Sequence, residues 1–79
     1  MRTNTIDREE QAADLANRFT YHAPKPEQLP YYEAIRAKAL EFATLIAELT
    51  PYSREQSTAL TYLDQAVFNA NAAIARNER

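Results

Sequence analysis

The sequence has no cysteine, no glycine and a single histidine, and each of these gaps narrows what the chain can be. Without cysteine there is no disulfide to brace a small fold and no thiolate to hold a metal. With no glycine, and with no stretch in which apolar and polar residues alternate, nothing supports strands, and the chain reads as all-α. One histidine, no carboxylate pair in an obvious pocket and no metal-ligand spacing leave little for acid–base or nucleophilic chemistry. An enzyme is therefore the class most clearly disfavoured, and no cofactor is implied. Positive charge is also scarce: nine Lys plus Arg against eleven Asp plus Glu give a net charge of -2. That is the wrong sign for a DNA or RNA binder that works by neutralising phosphates, and no helix clusters basic residues as a recognition helix does. A small anionic ligand in a local basic pocket stays compatible with it. No run of about 18 apolar residues and no basic, apolar and small-residue leader is visible, so the expectation is a soluble, cytoplasmic protein with no membrane partner.

What is present is one small helical domain spanning 1–79. A chain of this size buries only about 60 to 65% of its unfolded surface, which makes it marginal alone and makes self-association the simplest source of extra stability. The first helical stretch starts at Asp7, an N-cap acid followed three residues later by Glu10, and runs through Ala12, Ala13, Leu15 and Ala16 toward Phe19. Phe19 continues that apolar face and is assigned to the core. Prolines at 24, 26 and 30 bias their preceding residues away from the helical region, so Ala23 to Pro30 is expected to be a stiff, extended joint.

A second helix, from about Pro30 to Leu49, places Tyr32, Ile35, Ala39, Phe42, Ile46 and Leu49 at alternating spacings of three and four, a coiled-coil-like seam. Thr50-Pro51-Tyr52 breaks it. Ser53 to Gln56 has the form of a capping box, the Ser53 hydroxyl accepting from the Gln56 amide while the Gln56 side chain reaches back. A third helix follows with Leu60, Leu63, Val67, Ala70 and Ile74 in the same rhythm, and the short joint forces it antiparallel to the second. Two helices of about 30 Å expose more apolar edge than they can cover for each other. Tyr62, Ala66, Phe68 and Ala73 lie off the seam, and Ala66 to Ala75 is apolar around nearly its whole circumference. Assembly with neighbouring chains would bury that surplus, with alanines allowing close approach and Asn69 and Asn71 setting register. The alternative is a tight intrachain core with both asparagines solvated.

Several side chains have both a structural and a functional reading. Arg36 and Lys38 flank the second-helix seam on opposite sides. They either form interhelical ion pairs, for which Glu33, Glu41, Glu48 and Glu55 supply acidic partners, or capture phosphate, Arg36 with a forked set of donors and Lys38 as a mobile point charge. Tyr21 and His22 sit just before the prolines, where a stiff joint can hold an aromatic face open for a nucleobase or pack over the hairpin end. Arg54 and Glu55 are assigned to the third helix's N-terminus, and Arg76 favourably meets the negative end of its macrodipole. With catalysis and nucleic-acid binding disfavoured, small-ligand binding and protein scaffolding remain.

The order of motifs decides between them. Phe19-Thr-Tyr-His-Ala-Pro24, Tyr32-Glu-Ala-Ile-Arg36, Pro51-Tyr-Ser-Arg-Glu55 and Ala70-Asn-Ala-Ala-Ile-Ala-Arg76 resemble, from about Arg18 to Glu78, the helical-hairpin family of phage anti-defence nucleotide sponges. That family includes anti-CBASS sponges and the hairpin of anti-Thoeris sponges. The resemblance implies a short N-terminal helix over 1–18 and a hairpin domain over 19–79, assembled as a homo-oligomer, a hexamer in the anti-CBASS members. It implies sequestration, without cleavage, of cyclic di- or trinucleotides such as cyclic GMP-AMP, or of cyclic ADP-ribose-type signals, in the cytoplasm of an infected bacterial host. Carried over by position, Tyr21 in the Tyr21-His22 pair stacks on a base and Arg36 meets the dinucleotide, while Lys38 and Arg76 belong to a trinucleotide pocket where protomers meet. The chain departs from the family at Phe68-Asn69, where tryptophan is common, and at Lys25-Pro26-Glu27, where glycine is common. The second departure stiffens the pocket rim and offers Lys25 as a further phosphate contact.

Overall fold

The computed structural model describes residues 8–77, which form three α-helices and no strand: α1 Arg8–Phe19, α2 Leu29–Leu49 and α3 Arg54–Asn77. The expected N-cap of α1, Asp7, lies outside the described residues. α2 and α3 pack on one another as the antiparallel hairpin, whereas α1 buries no residue. The shape follows: principal extents of 49 × 42 × 16 Å, and a radius of gyration of 17.1 Å against about 11–12 Å for a compact chain of this length. Domains normally close a core between two packed layers. This chain supplies a single layer, and much of its apolar surface has no cover within it.

The α3 seam is as the spacing predicts, with Leu60, Leu63, Val67 and Ala70 half-buried and Ile74 buried. The α2 seam drifts. Tyr32, Ile35, Ala39 and Ile46 face α3, but Ala43 rather than Phe42 continues the row, and Leu49 is 73% exposed. An α-helix repeats every 3.6 residues, so a row begun at Tyr32 slides past position 42 within three turns, and the smaller alanine then lets the helices approach. Phe19 is also displaced from its assigned place. It is 82% exposed rather than core, because α1 does not lie down on the hairpin.

The two joints are built differently from their sequence expectation. Residues 21–25 carry no regular structure, but Pro26–Gln28 closes a 3-10 turn, so the joint is extended only over its first half. Proline at its first position supplies a helical φ without needing a donor, which is why a proline-rich segment can tighten here. At the tip, Thr50 is extended ahead of Pro51, and its amide and hydroxyl both donate to the Ile46 carbonyl, at 3.1 and 2.7 Å. Ser53 Oγ accepts from the Gln56 amide at 3.1 Å as expected. The Gln56 side chain does not reach back. Its Nε2 crosses the turn to Thr50 O and Thr50 Oγ1, both at 3.0 Å, and to Ala47 O at 3.4 Å, satisfying carbonyls at the end of α2. One glutamine thus joins both helix ends at the tip. Ser53→Ala is expected to cost about 1 kcal/mol, read as a thermal midpoint lower by about 4–8 °C, with helical content unchanged below it.

Candidate functional site

The open end of the hairpin, where α2 begins and α3 finishes, carries a cleft of about 550 Å³. The segment between α1 and α2 forms its rim with Thr20, Tyr21, His22 and Pro24; α2 contributes Leu29, Tyr32, Glu33 and Arg36; α3 contributes Asn71, Ala72, Ala75 and Arg76; and Arg18 comes from α1. That volume lies within the range of small-molecule sites, about 300–1,000 Å³.

The rim is held by its own hydrogen bonds to α1. His22 Nε2 donates to the Asn17 carbonyl at 2.7 Å; a carbonyl can only accept, so the ring carries a proton on that nitrogen. Arg76 Nη2 donates to the Arg18 carbonyl at 3.3 Å. Both carbonyls belong to the last turn of α1, where helix carbonyls lack intrahelical donors. Two cleft side chains therefore cap α1 and tether it to the hairpin's open end. Tyr21, beside His22, turns outward and is 84% exposed, its ring free to stack.

Charge in the cleft is cationic on balance: Arg18, Arg36 and Arg76 face one carboxylate, Glu33. Arg18 is paired with Asp14, Nε to Oδ2 at 3.1 Å, along its own helix. Arg36 has no ion pair or hydrogen bond with any described residue, so its five N–H donors stand unused at the cleft wall. The ion-pair alternative for Arg36 thus finds no support. Lys38 is paired, but within its own helix rather than between helices: Lys38 Nζ meets Glu41 Oε1 at 3.2 Å. Two residues apart on a helix point about 160° from each other, and Lys38 accordingly lines a separate groove of about 510 Å³, with Ala34, Ile35, Ala39, Phe42, Leu63, Ala66, Val67 and Ala70.

Of the residues singled out from sequence, the fold brings Tyr21, His22, Arg36 and Arg76 to one cleft and leaves Lys38 on the other face. The asparagines also part. Asn69 is exposed and donates to Gln65 O in its own helix at 2.8 Å, whereas Asn71 lines the cleft with its Oδ1 buried and without a hydrogen-bond partner. Asn71, Tyr32 and Arg18 are cleft residues that sequence reasoning placed elsewhere, on a seam, at an interface or in no role. Tyr32 and Asn71 stand within the quoted motifs, and Arg18 immediately precedes the first of them.

A helical hairpin with an aromatic and cationic cleft at its open end is the class of protein defined here. Residues 11–75 match the family described as Acb2/Tad1, hairpin domain, and the chain belongs to it: the anti-CBASS and anti-Thoeris sponge family. The match begins within α1 and ends one residue before Arg76. The family is known for binding cyclic oligonucleotides and is non-enzymatic in general. No curated protein and no solved structure matches the chain.

Proposed function

We propose that this protein is a phage anti-defence sponge that binds cyclic dinucleotides in the cleft at the hairpin's open end and withholds them, uncleaved, from CBASS effectors in the infected bacterial cytoplasm. The observation that carries the reading is the unpaired Arg36 guanidinium in one cleft with the outward Tyr21 ring, in a chain of this family. Arg36 meets a phosphate with a forked pair of donors and Tyr21 stacks on a base.

A sponge competes by tight binding, and nanomolar affinity corresponds to about 12 kcal/mol. One stacked base contributes about 1–3 kcal/mol and one charge-assisted contact about 1.5–3 kcal/mol, so a single protomer falls short. A second copy across a symmetry axis doubles both, and a cyclic dinucleotide presents two bases and two phosphates to such a pair. The uncovered apolar face of the single-layer chain supports assembly on independent grounds. The proposed form is a homo-oligomer, a hexamer as in the anti-CBASS members, in which Lys38 and Arg76 from different protomers form a trinucleotide pocket.

The test is calorimetric titration with cyclic GMP-AMP, followed by heat release and chromatography of the nucleotide. Tight binding with intact nucleotide recovered supports the sponge, and a cleaved product overturns it. Tyr21→Ala is expected to weaken dinucleotide binding about tenfold to a hundredfold with the assembly unchanged by sedimentation; undiminished affinity removes Tyr21 from the site. If no nucleotide binds, cyclic ADP-ribose signals included, the exposed apolar groove beside Phe42 favours a helical adaptor instead.

A further inference from the structure

The most completely buried side chain among the described residues is polar. Gln28, at the end of the 3-10 turn, is 2% exposed. Its Oε1 accepts from the Lys25 amide at 3.0 Å, and its Nε2 donates to the Ile74 carbonyl at 3.4 Å. An amide is taken out of water at a cost unless both of its ends are satisfied, and here both are. The partners lie on opposite sides of the cleft. Lys25 ends the rim segment that carries Tyr21 and His22, while Ile74 sits in the α3 turn that carries Asn71, Ala75 and Arg76. Ile74 is among the last four residues of α3, whose carbonyls lack donors within the helix, so a side-chain amide is a fitting partner. Gln28 does not itself line the cleft.

We propose that Gln28 is the positioning residue of this cleft: its carboxamide ties the rim to the α3 wall and thereby sets the spacing between the stacking ring of Tyr21 and the wall bearing Arg76. The inference rests on the reading that the cleft takes the ligand. Its chemical content is specific, because the position needs one acceptor, for Lys25 N, and one donor, for Ile74 O. A carboxylate supplies only the acceptor, and a protonated carboxyl supplies both.

Gln28→Glu turns that requirement into a pH readout. Wild type and variant are titrated with cyclic GMP-AMP at about pH 8 and at about pH 5. A glutamate has an ordinary pKa of about 4.3, and burial opposite the Ile74 carbonyl raises it, so acid drives the carboxyl toward its protonated form. Lys25 and Glu27 beside it, Arg76 on α3, and Arg18, His22, Glu33 and Arg36 around the cleft are common to both proteins. The ratio of the two affinities at each pH therefore isolates position 28. The expected result is binding about tenfold weaker than wild type at about pH 8, with the deficit closing at about pH 5. Gln28→Met, which has neither acceptor nor donor, shows a deficit that pH does not repair. Hydrogen exchange of the Lys25 amide, corrected for its intrinsic pH dependence, follows the rim half of the tie without ligand: faster in Gln28→Met, which has no acceptor, and still protected in Gln28→Glu, whose carboxylate accepts. Equal affinity at both pH values overturns the proposal, as does a loss that acid leaves unrepaired. If wild type binds no cyclic nucleotide, the proposed function falls, and the exchange data alone decide whether Gln28 fixes the rim.

Discussion

Replacing Ile74 with alanine is expected to destabilise the hairpin by about 2–5 kcal/mol, the cost of emptying a buried aliphatic site. Ile74 is the one buried apolar residue among those described, at 7% exposure. Stability of about 0.05–0.15 kcal/mol per residue puts a chain of this length at roughly 4–12 kcal/mol in total, so this loss takes a large share. The open end also fails locally, because the Ile74 turn is where Gln28 is anchored and where Asn71, Ala75 and Arg76 line the cleft. Thermal or urea unfolding followed by helical content measures it. The informative comparison is Leu49→Ala, whose side chain is largely exposed within the chain and costs little there. If Leu49→Ala proves as damaging as Ile74→Ala, the exposed face is covered in solution, as assembly with a second chain would make it.

Arg36→Ala is expected to weaken cyclic dinucleotide binding about tenfold to a hundredfold per site, since a forked charge-assisted contact contributes about 1.5–3 kcal/mol. The side chain has no described partner, so its removal leaves no carboxylate stranded and stability stays at the wild-type value. Added salt weakens wild-type binding more than that of the variant, because the missing charge is the screened term. Lys38→Ala serves as the contrast. Lys38 pairs with Glu41 on the other face of α2, and this exposed pair contributes little to stability. Its loss leaves dinucleotide affinity unchanged and reduces trinucleotide affinity. Unaltered dinucleotide binding in Arg36→Ala would remove Arg36 from the site and, with it, the phosphate arm of the proposal.

Local signals were legible where one element suffices to produce them. The α3 row from Leu60 to Ile74, the break at Thr50-Pro51 and the Ser53 cap are read from spacing and side-chain chemistry within a turn or two, and the structure carries all of them. The α2 row was legible at Tyr32, Ile35, Ala39 and Ile46, but not at the step after Ala39 or at Leu49. At that step the choice between Phe42 and Ala43 depends on how closely α3 approaches, which no local pattern contains. Phe19 was misplaced for a similar reason: its spacing continues an apolar face, but burial needs an opposing surface, and no described residue covers the ring.

The cleft divides along the same line. Sequence motifs named Tyr21, His22, Arg36 and Arg76 as candidates, and helix spacing put Lys38 on the opposite side of α2 from Arg36; neither could say that the four share one cleft with Asn71. By itself the sequence determined an all-α chain, the hairpin, its turn and the family to which it belongs, because helix periodicity, proline placement and motif order are local or linear properties. Tertiary structure alone decided that Gln28, a residue with no apolar pattern to mark it, is the most buried of those described, and that Gln56 crosses the tip to α2. It alone left Arg36 unpaired at the cleft. Those outcomes depend on which carbonyls and carboxylates arrive opposite each side chain, and partners such as Gln28 and Ile74, 46 residues apart, meet only when the hairpin closes.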